Sequence, residues 1–333
     1  MKICVVGAGA IGGLLAVKLN AAGEDVSIVA RGAHLAAIRT SGLTLIEEAG
    51  ETNARLQATS TIADLGPQDV VILGLKAHQV SAIVGELPHL YGPETMVLTA
   101  QNGIPWWYFF RLGGRFEGRR LESVDPGGRI GDHLPVERVI ASVVYPAAEM
   151  TAPGMIKHIE GNRFSLAEID NSETPRLKLL SETLTRAGFK APIVSDVRAE
   201  IWTKLWGNMS FNPISALTHA TLEDLCRYPL TRALAAELMR EAQKVGEALG
   251  IRFRISIEKR IAGGEAVGAH KTSMLQDVEA GRVLEADALL GSVIELARLV
   301  DVATPHLDSV YALVKLLDHD LQQAQGRLKI ATQ

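Results

Sequence analysis

Lys204, Asn208 and Asn212 follow one another at i, i+4 and i+8, which places an ammonium and two amides on a single face if the segment is helical. Around them stand Trp202, Leu205, Trp206, Met209, Phe211 and Ile214. Polar groups on so apolar a helix are costly to bury unless something polar meets them. Either they pair with one another and with backbone, or they meet a ligand. Pro213 cannot donate a backbone hydrogen bond, so a kink is expected there. A second polar intrusion is Glu285, flanked by Leu284 and Ala286 and sharing a helix face with Leu289 and Val293. A carboxylate on a core-facing stripe calls for a cation, and Lys204 is the candidate. An ammonium in such a place can donate a proton to an oxygen that is gaining negative charge. Burial would pull its pKa towards neutrality, and a nearby carboxylate would keep the charged form populated. Ser273-Met274-Leu275-Gln276 has the spacing of a capping box, which would occupy the Ser273 hydroxyl; a ligand contact is the alternative.

The N-terminus carries a different chemistry. Gly7-Ala8-Gly9-Ala10-Ile11-Gly12 is a GxGxxG between an apolar run and a helical pattern. In that context the first glycine permits a tight turn, the second lets backbone approach a pyrophosphate, and the third lets helix and strand pack closely. The unpaired amides of the helix N-terminus favour the anion. The second apolar run ends Val26-Ser27-Ile28-Val29-Ala30-Arg31, with no carboxylate where a ribose 2′-hydroxyl would be held. Arg31 suits a 2′-phosphate instead, so the expected cofactor is NADP, used as NADPH.

These residues must be positioned by two kinds of structure. Lys2–Val6, Asp25–Ala30, Val70–Leu75 and Met96–Ala100 read as strands, with helices over 11–22 and 78–87; such alternation implies βαβ units and a parallel sheet. Residues 138–144 and 155–167 read as further strands, 175–187 as a helix, and the Gly/Arg/Pro-rich stretch 111–134 as irregular. Beyond about Ser195 the spacing turns helical, over 196–217, 231–249, 278–299 and 307–325. The expected architecture is α/β: a Rossmann-type dinucleotide-binding domain over 1–190 and an all-helical domain over 191–333.

The 333 residues are 47% hydrophobic and 22% charged, ordinary values for a globular protein. A net charge of −4 offers no basic field for a nucleic acid. The apolar runs are far shorter than a spanning helix needs, and Met1–Val17 is too glycine-rich for a signal peptide. No metal-ligand spacing occurs, and Cys4 and Cys226 make no disulfide framework. No metal, nucleic acid or membrane is expected, and a cytoplasmic location is. A homodimer through the helical half is an open expectation.

The ordered set GAGAIG, VAR, LKAHQ, AQNG, WTKLWGNMSFNP and SMLQD followed by Glu285 resembles the ketopantoate reductase (2-dehydropantoate 2-reductase) family over nearly the whole chain. The resemblance implies NADPH-dependent reduction of a small 2-oxo acid to a D-2-hydroxy acid in pantothenate synthesis. Position by position it makes Lys204 the general acid and Asn208, Asn212 and Ser273 substrate-binding residues. Glu285 becomes the carboxylate beside lysine and cofactor ribose. Lys76 and Asn102 fall beside the nicotinamide end, where Asn102 also meets the substrate, Arg31 on the 2′-phosphate position, and Ala147 on a cofactor backbone contact. The chain departs from the family's pattern at Ile104-Pro105-Trp106-Trp107-Tyr108-Phe109-Phe110, aromatics that either pack a core or interface or reshape substrate choice. Two alternatives stay open: a reductase of a different 2-oxo acid, and a dinucleotide-sensing protein without catalysis.

Overall fold

Ile3–Val6 are four consecutive apolar residues with both sheet faces covered, the mark of a strand inside a parallel sheet. They belong to β1 (Lys2–Val6), at the centre of the first of two units into which Cα packing divides the chain in a computed structural model that describes residues 1–325. The first unit comprises Met1–Gln101, Trp106–Arg120 and Asp125–Val197; the second comprises Asn102–Pro105, Leu121–Val124 and Arg198 onward.

In the first unit β1 leads through α1 (Ala10–Ala21) to β2 (Asp25–Val29) and α2 (Gly32–Ser41). Three short strands follow, β3 (Leu43–Glu47), β4 (Gly50–Ala54) and β5 (Gln57–Thr59), then β6 (Gln68–Leu73), α3 (Ala77–Ile83) and β7 (Tyr91–Thr99). After α4 (Arg129–His133) come β8 (Val139–Val144), β9 (Ala147–Ala152), β10 (Met155–Glu160), β11 (Phe164–Glu168) and α5 (Pro175–Arg186). Among the described residues β5-β2-β1-β6-β7-β8 pair in parallel, and β11 closes the edge antiparallel to β8. That order reverses direction between β1 and β6, the place where doubly wound sheets bind ligands beyond the strand ends.

A smaller sheet, β4-β3-β10-β9, packs against the other side of α1. Nothing in the pattern of residues 31–69 predicts β3, β4 or β5: they are short, and β4 is exposed at four of its five positions, so neither alternation nor an apolar run marks it. Held between two sheets, α1 is apolar except at Lys18 and Asn20 near its end, and Gly13 lets it approach β10, where a Cβ would lie 2.7 Å from Ile156 Cγ1. Trp106, Trp107, Tyr108 and Phe109 are all buried in this unit, with edge-on aromatic contacts between Trp106 and Phe110 and between Tyr108 and Phe109. They are core packing.

The second unit is helical: α6 (Val197–Thr218), α7 (Leu222–Arg227), α8 (Pro229–Ala248), α9 (Ile257–Ala266), α10 (Ser273–Glu279), α11 (Ser292–Leu299) and α12 (Pro305–Gln323). Helix α8 packs against α7, α9, α11 and α12. Its buried Glu241 accepts from the backbone amides of His306 and Leu307 (both 2.9 Å), capping α12. Helix α6 runs on through Pro213. The single helix expected over 278–299 is divided. Helix α10 ends at Glu279, Gly281 takes φ +62°, and the chain re-enters through a π-helical turn, Asp287–Gly291, before α11. Among the described residues no helix is long and apolar enough to cross a membrane.

Candidate active site

The glycine-rich turn of the first unit has the shape a dinucleotide needs. Gly7 sits at φ +103° and donates its N–H to the Val29 carbonyl at 3.0 Å, tying the turn to β2. A Cβ on Gly12 would lie 2.0 Å from the Gly7 carbonyl oxygen, so helix and turn approach at a distance only glycine permits. Gly9 is exposed, its nearest would-be neighbour 3.8 Å away, and it caps α1 without a side-chain oxygen or an acidic residue in the first turn. Backbone amides therefore face an open cradle, the arrangement that takes a pyrophosphate. Ala8 is buried, and Ala10 and Ile11 begin the helix half-buried.

Arg31 stands exposed just beyond β2, where it caps α2, whose first turn also lacks an acid; the guanidinium and that helix end together suit a phosphate. Lys76 caps α3 just beyond β6, half-buried beside the point where strand order reverses. Ala147 opens β9 in the smaller sheet. A residue not anticipated from sequence is His34. Its Nε2–H donates to the Ala8 carbonyl (2.8 Å) while its Nδ1 accepts from the Gly154 amide (2.9 Å). Two such bonds require the neutral tautomer, and burial holds its pKa below the usual histidine value. A lone histidine carries no periodicity to reveal such a role.

In the second unit Lys204, Asn208 and Asn212 share one face of α6. The Lys204 Nζ donates to Asn102 Oδ1 at 2.6 Å. Burial pulls the lysine pKa down from 10.5 to about 8; the Glu285 carboxylate acts in the opposite direction, and the Arg260 guanidinium adds to the fall. Glu285 itself is only 9% exposed. Asn212 is buried and its Nδ2 donates to Ser273 Oγ at 3.4 Å; Asn208 lies half-buried between the two. The capping box expected at Ser273 does not form. Thr272 is the cap, its Oγ1 accepting from Leu275 N at 3.3 Å, so Ser273 becomes the first helical residue and its hydroxyl turns to Asn212.

Asn102 is held by backbone. The Ala288 carbonyl, within the π-helical turn three residues beyond Glu285, accepts from Ile104 N at 3.1 Å and from Ser292 Oγ at 2.7 Å. A π-turn shifts carbonyls out of the regular ladder and recurs at functional sites; here it offers one to the segment that carries Asn102. Gly103, at φ +90°, makes the approach possible, since a Cβ there would lie 2.2 Å from the Ala288 oxygen. Asp287 in the same turn accepts from Tyr311 Oη (2.5 Å) and Lys315 Nζ (3.0 Å), bracing it on α12. Glu295 accepts from Glu122 N, Ser123 N and Ser123 Oγ at 2.6–2.9 Å, fixing the other short segment of this unit. Asn-Gly is a recognisable turn signal, but its target is visible only in the fold.

A family model described as "Ketopantoate reductase PanE/ApbA" matches residues 3–108, and its companion, "Ketopantoate reductase PanE/ApbA C terminal", matches 196–318. A 2-dehydropantoate 2-reductase of Mesorhizobium japonicum is 54% identical over 318 residues, covering 95% of this chain and 98% of the relative. The chain belongs to the ketopantoate reductase family. One of Pyrococcus horikoshii, also a 2-dehydropantoate 2-reductase, is 30% identical with 95% and 97% covered. A crystal structure from Ralstonia solanacearum, of a protein assigned as a ketopantoate reductase, superposes with a TM-score of 0.92 at 40% identity, covering 96% of this chain and 98% of that one. In a ketopantoate reductase of this construction the Gly103–Ala288 approach holds the amide that orients the lysine. Gly103→Ala should therefore leave NADPH affinity within about twofold of the parent and lower kcat on the order of 10²-fold, the scale of an ångström-level displacement. Steady-state kinetics beside fluorescence titration of NADPH measures both; unchanged turnover would show that the contact does not position Asn102.

Proposed function

We infer that the chain is a 2-dehydropantoate 2-reductase, an NADPH-dependent oxidoreductase that reduces the 2-oxo group of ketopantoate to the hydroxyl of D-pantoate in pantothenate biosynthesis. The observation that carries the reading is Lys204, an ammonium with pKa about 8, hydrogen-bonded to Asn102 and supported by Glu285. The first unit is the NADP-binding domain and the second the substrate and catalytic domain. Bound NADPH supplies the hydride. As the oxo carbon accepts it, negative charge gathers on the oxygen, and Lys204 donates the proton that completes the hydroxyl; the neutral amine then regains a proton from solvent.

Asn102 takes one Nζ–H and so aims the remaining two, while Glu285 keeps the ammonium populated and also serves the cofactor ribose. Asn208, Asn212 and Ser273 bind substrate through neutral donors and acceptors. Gly7, Ala8, Gly9, Ala10, Ile11 and Gly12 hold the pyrophosphate, Arg31 the 2′-phosphate, and Lys76, Asn102 and Ala147 the nicotinamide half. The protein works in the cytoplasm, where the buried thiols of Cys4 and Cys226 stay reduced. It acts as a homodimer; Leu313 and Leu316, one turn apart on α12 and 54% and 58% exposed, form an apolar face that a second copy would cover.

Lys204→Ala should lose about 10²–10⁴ in kcat, the usual range for a general acid, with NADPH binding intact by titration; a variant that keeps most of its turnover moves the lysine out of the mechanism. The ammonium is present below pH 8 and lost above it, so the rate with ketopantoate should be level through neutrality and fall on the alkaline side. Glu285→Gln removes an influence that raises the lysine pKa and leaves burial and Arg260, which lower it. The alkaline limb of that variant should move to lower pH, and an unshifted limb separates Glu285 from Lys204. Arg31→Ala should weaken the preference for NADPH over NADH by about tenfold or more, as expected for a charged hydrogen bond to phosphate. Equal use of both cofactors by the parent protein would remove that role. Light scattering should give the mass of two chains, and Leu316→Lys that of one; a monomeric parent protein overturns the dimer.

A further inference from the structure

His34 joins three parts of the first unit that the sequence keeps far apart. It occupies the first turn of α2, close behind Arg31. Its Nε2–H donates to the Ala8 carbonyl in the glycine-rich turn (2.8 Å), and its Nδ1 accepts from Gly154 N in the turn between β9 and β10 (2.9 Å). Gly154 is itself held in place. Its carbonyl accepts from Thr44 N at 2.9 Å, and at φ +78° a Cβ there would lie 3.1 Å from Ala37 Cβ of α2. The ring is therefore aimed: the Gly154 amide fixes which nitrogen carries the proton, and that proton is given to Ala8.

The bond matters because of the peptide it grips. Carbonyl and N–H leave a trans peptide in opposite directions. A ring that draws the Ala8 carbonyl to one side therefore sends the Gly9 N–H away to the other. Gly9 is exposed, and the space beside it is open, with nothing nearer than 3.8 Å to a would-be Cβ. Glycine on both sides of Ala8 makes this the most easily rotated peptide of the turn. With no Cβ at Gly9, φ can change sign and the plane can turn over at little steric cost. Gly9 stands at φ −64° and ψ −173°, with its own carbonyl accepting from Gly13 N at 2.7 Å to open α1. Turned over, the Ala8–Gly9 peptide would present the negative end of its dipole where the cradle must receive an anion. The hydrogen bond to His34 opposes that rotation.

We propose that His34 is a positioning residue for the cofactor, holding the Ala8–Gly9 peptide with its N–H turned to the pyrophosphate of NADPH. The proposal rests on the reading of the glycine-rich turn as the pyrophosphate cradle. Its test is calorimetric titration of the parent protein, His34→Leu, His34→Gln and Gly9→Val with two ligands. One is NADP; the other is adenosine 2′-phosphate, which carries the 2′-phosphate without a pyrophosphate. His34→Leu should bind NADP about 10- to 100-fold more weakly, the scale of one hydrogen bond to a charged group, and adenosine 2′-phosphate within about twofold of the parent. In turnover the loss should fall on KM for NADPH, with kcat at saturation unchanged within about twofold. His34→Gln, whose amide keeps a donor for the Ala8 carbonyl, should recover most of the NADP affinity. Gly9→Val suits the backbone, since φ −64° is open to any residue, but it fills the cradle; it should lose NADP and keep adenosine 2′-phosphate. Unchanged NADP affinity in His34→Leu overturns the proposal, as does a glutamine variant no better than leucine. An equal loss of both ligands overturns it too, and makes His34 a brace for α2 and Arg31. If Gly9→Val loses NADP while His34→Leu keeps it, the assignment of His34 alone fails. If Gly9→Val binds NADP like the parent, the cradle reading beneath it fails as well.

Discussion

The second unit is organised around one constraint: an ammonium must stay charged in a place that penalises charge. Water solvates a lysine far better than protein does, and the fall of the Lys204 pKa to about 8 is the measure of what burial removes. Left to burial and Arg260 alone the proton would go more easily still, and less of the side chain would be charged at neutral pH. Glu285 acts against that drift. The outcome is a group acidic enough to give up its proton readily and still protonated at physiological pH, the condition under which general acid catalysis is most effective.

Holding such a group demands precision that side chains alone do not supply, and the chain obtains it from backbone. The Lys204–Asn102 hydrogen bond is oriented by a segment whose next residues are bonded to the Ala288 carbonyl, itself three residues from Glu285. The segment that carries the acceptor is thereby tied to a π-helical turn that begins two residues after the counter-charge. Gly103, Gly207 and, in the first unit, Gly7 and Gly12 serve the same end: each lies where a Cβ would fall within 2.0–2.8 Å of another atom. Glycine in a helix or a constrained turn weakens local structure. Its presence at these positions marks approaches that the fold values above local stability.

Much of this was legible beforehand. The GxGxxG turn with its strand and helix, the i, i+4, i+8 stripe on α6, and the division into an α/β and a helical half depend on local pattern, and local pattern is what a sequence displays. The misses are equally physical. Strands β3 to β5 are only three to five residues long and β4 is largely exposed, and a strand held mainly by its neighbours leaves little periodicity of its own. The helix expected over 278–299 merged two segments because apolar spacing continues across the turn at Gly281. Ser273 and Thr272 are both good caps, and which of them turns out of the helix is decided by a one-residue shift that carries no compositional sign. His34, Gly103 and Arg260 act through contacts with residues 26, 185 and 53 positions away, and separations of that kind leave no trace in spacing.

The cap at Thr272 has a consequence for chemistry as well as for prediction. A capping hydroxyl is committed to a backbone amide, and a substrate would have to compete with it. With Thr272 taking the amide of Leu275, the neighbouring Ser273 hydroxyl is left to a longer, 3.4 Å contact with Asn212. Long bonds between neutral side chains are weak and readily exchanged, so Asn212 and Ser273 can trade one another for a ligand at little loss. The lysine, by contrast, holds Asn102 at 2.6 Å. The same face of α6 therefore carries a tightly oriented donor at one end and exchangeable partners at the other. The proposed reduction calls for that gradation, a fixed proton donor beside groups that admit and release a small acid.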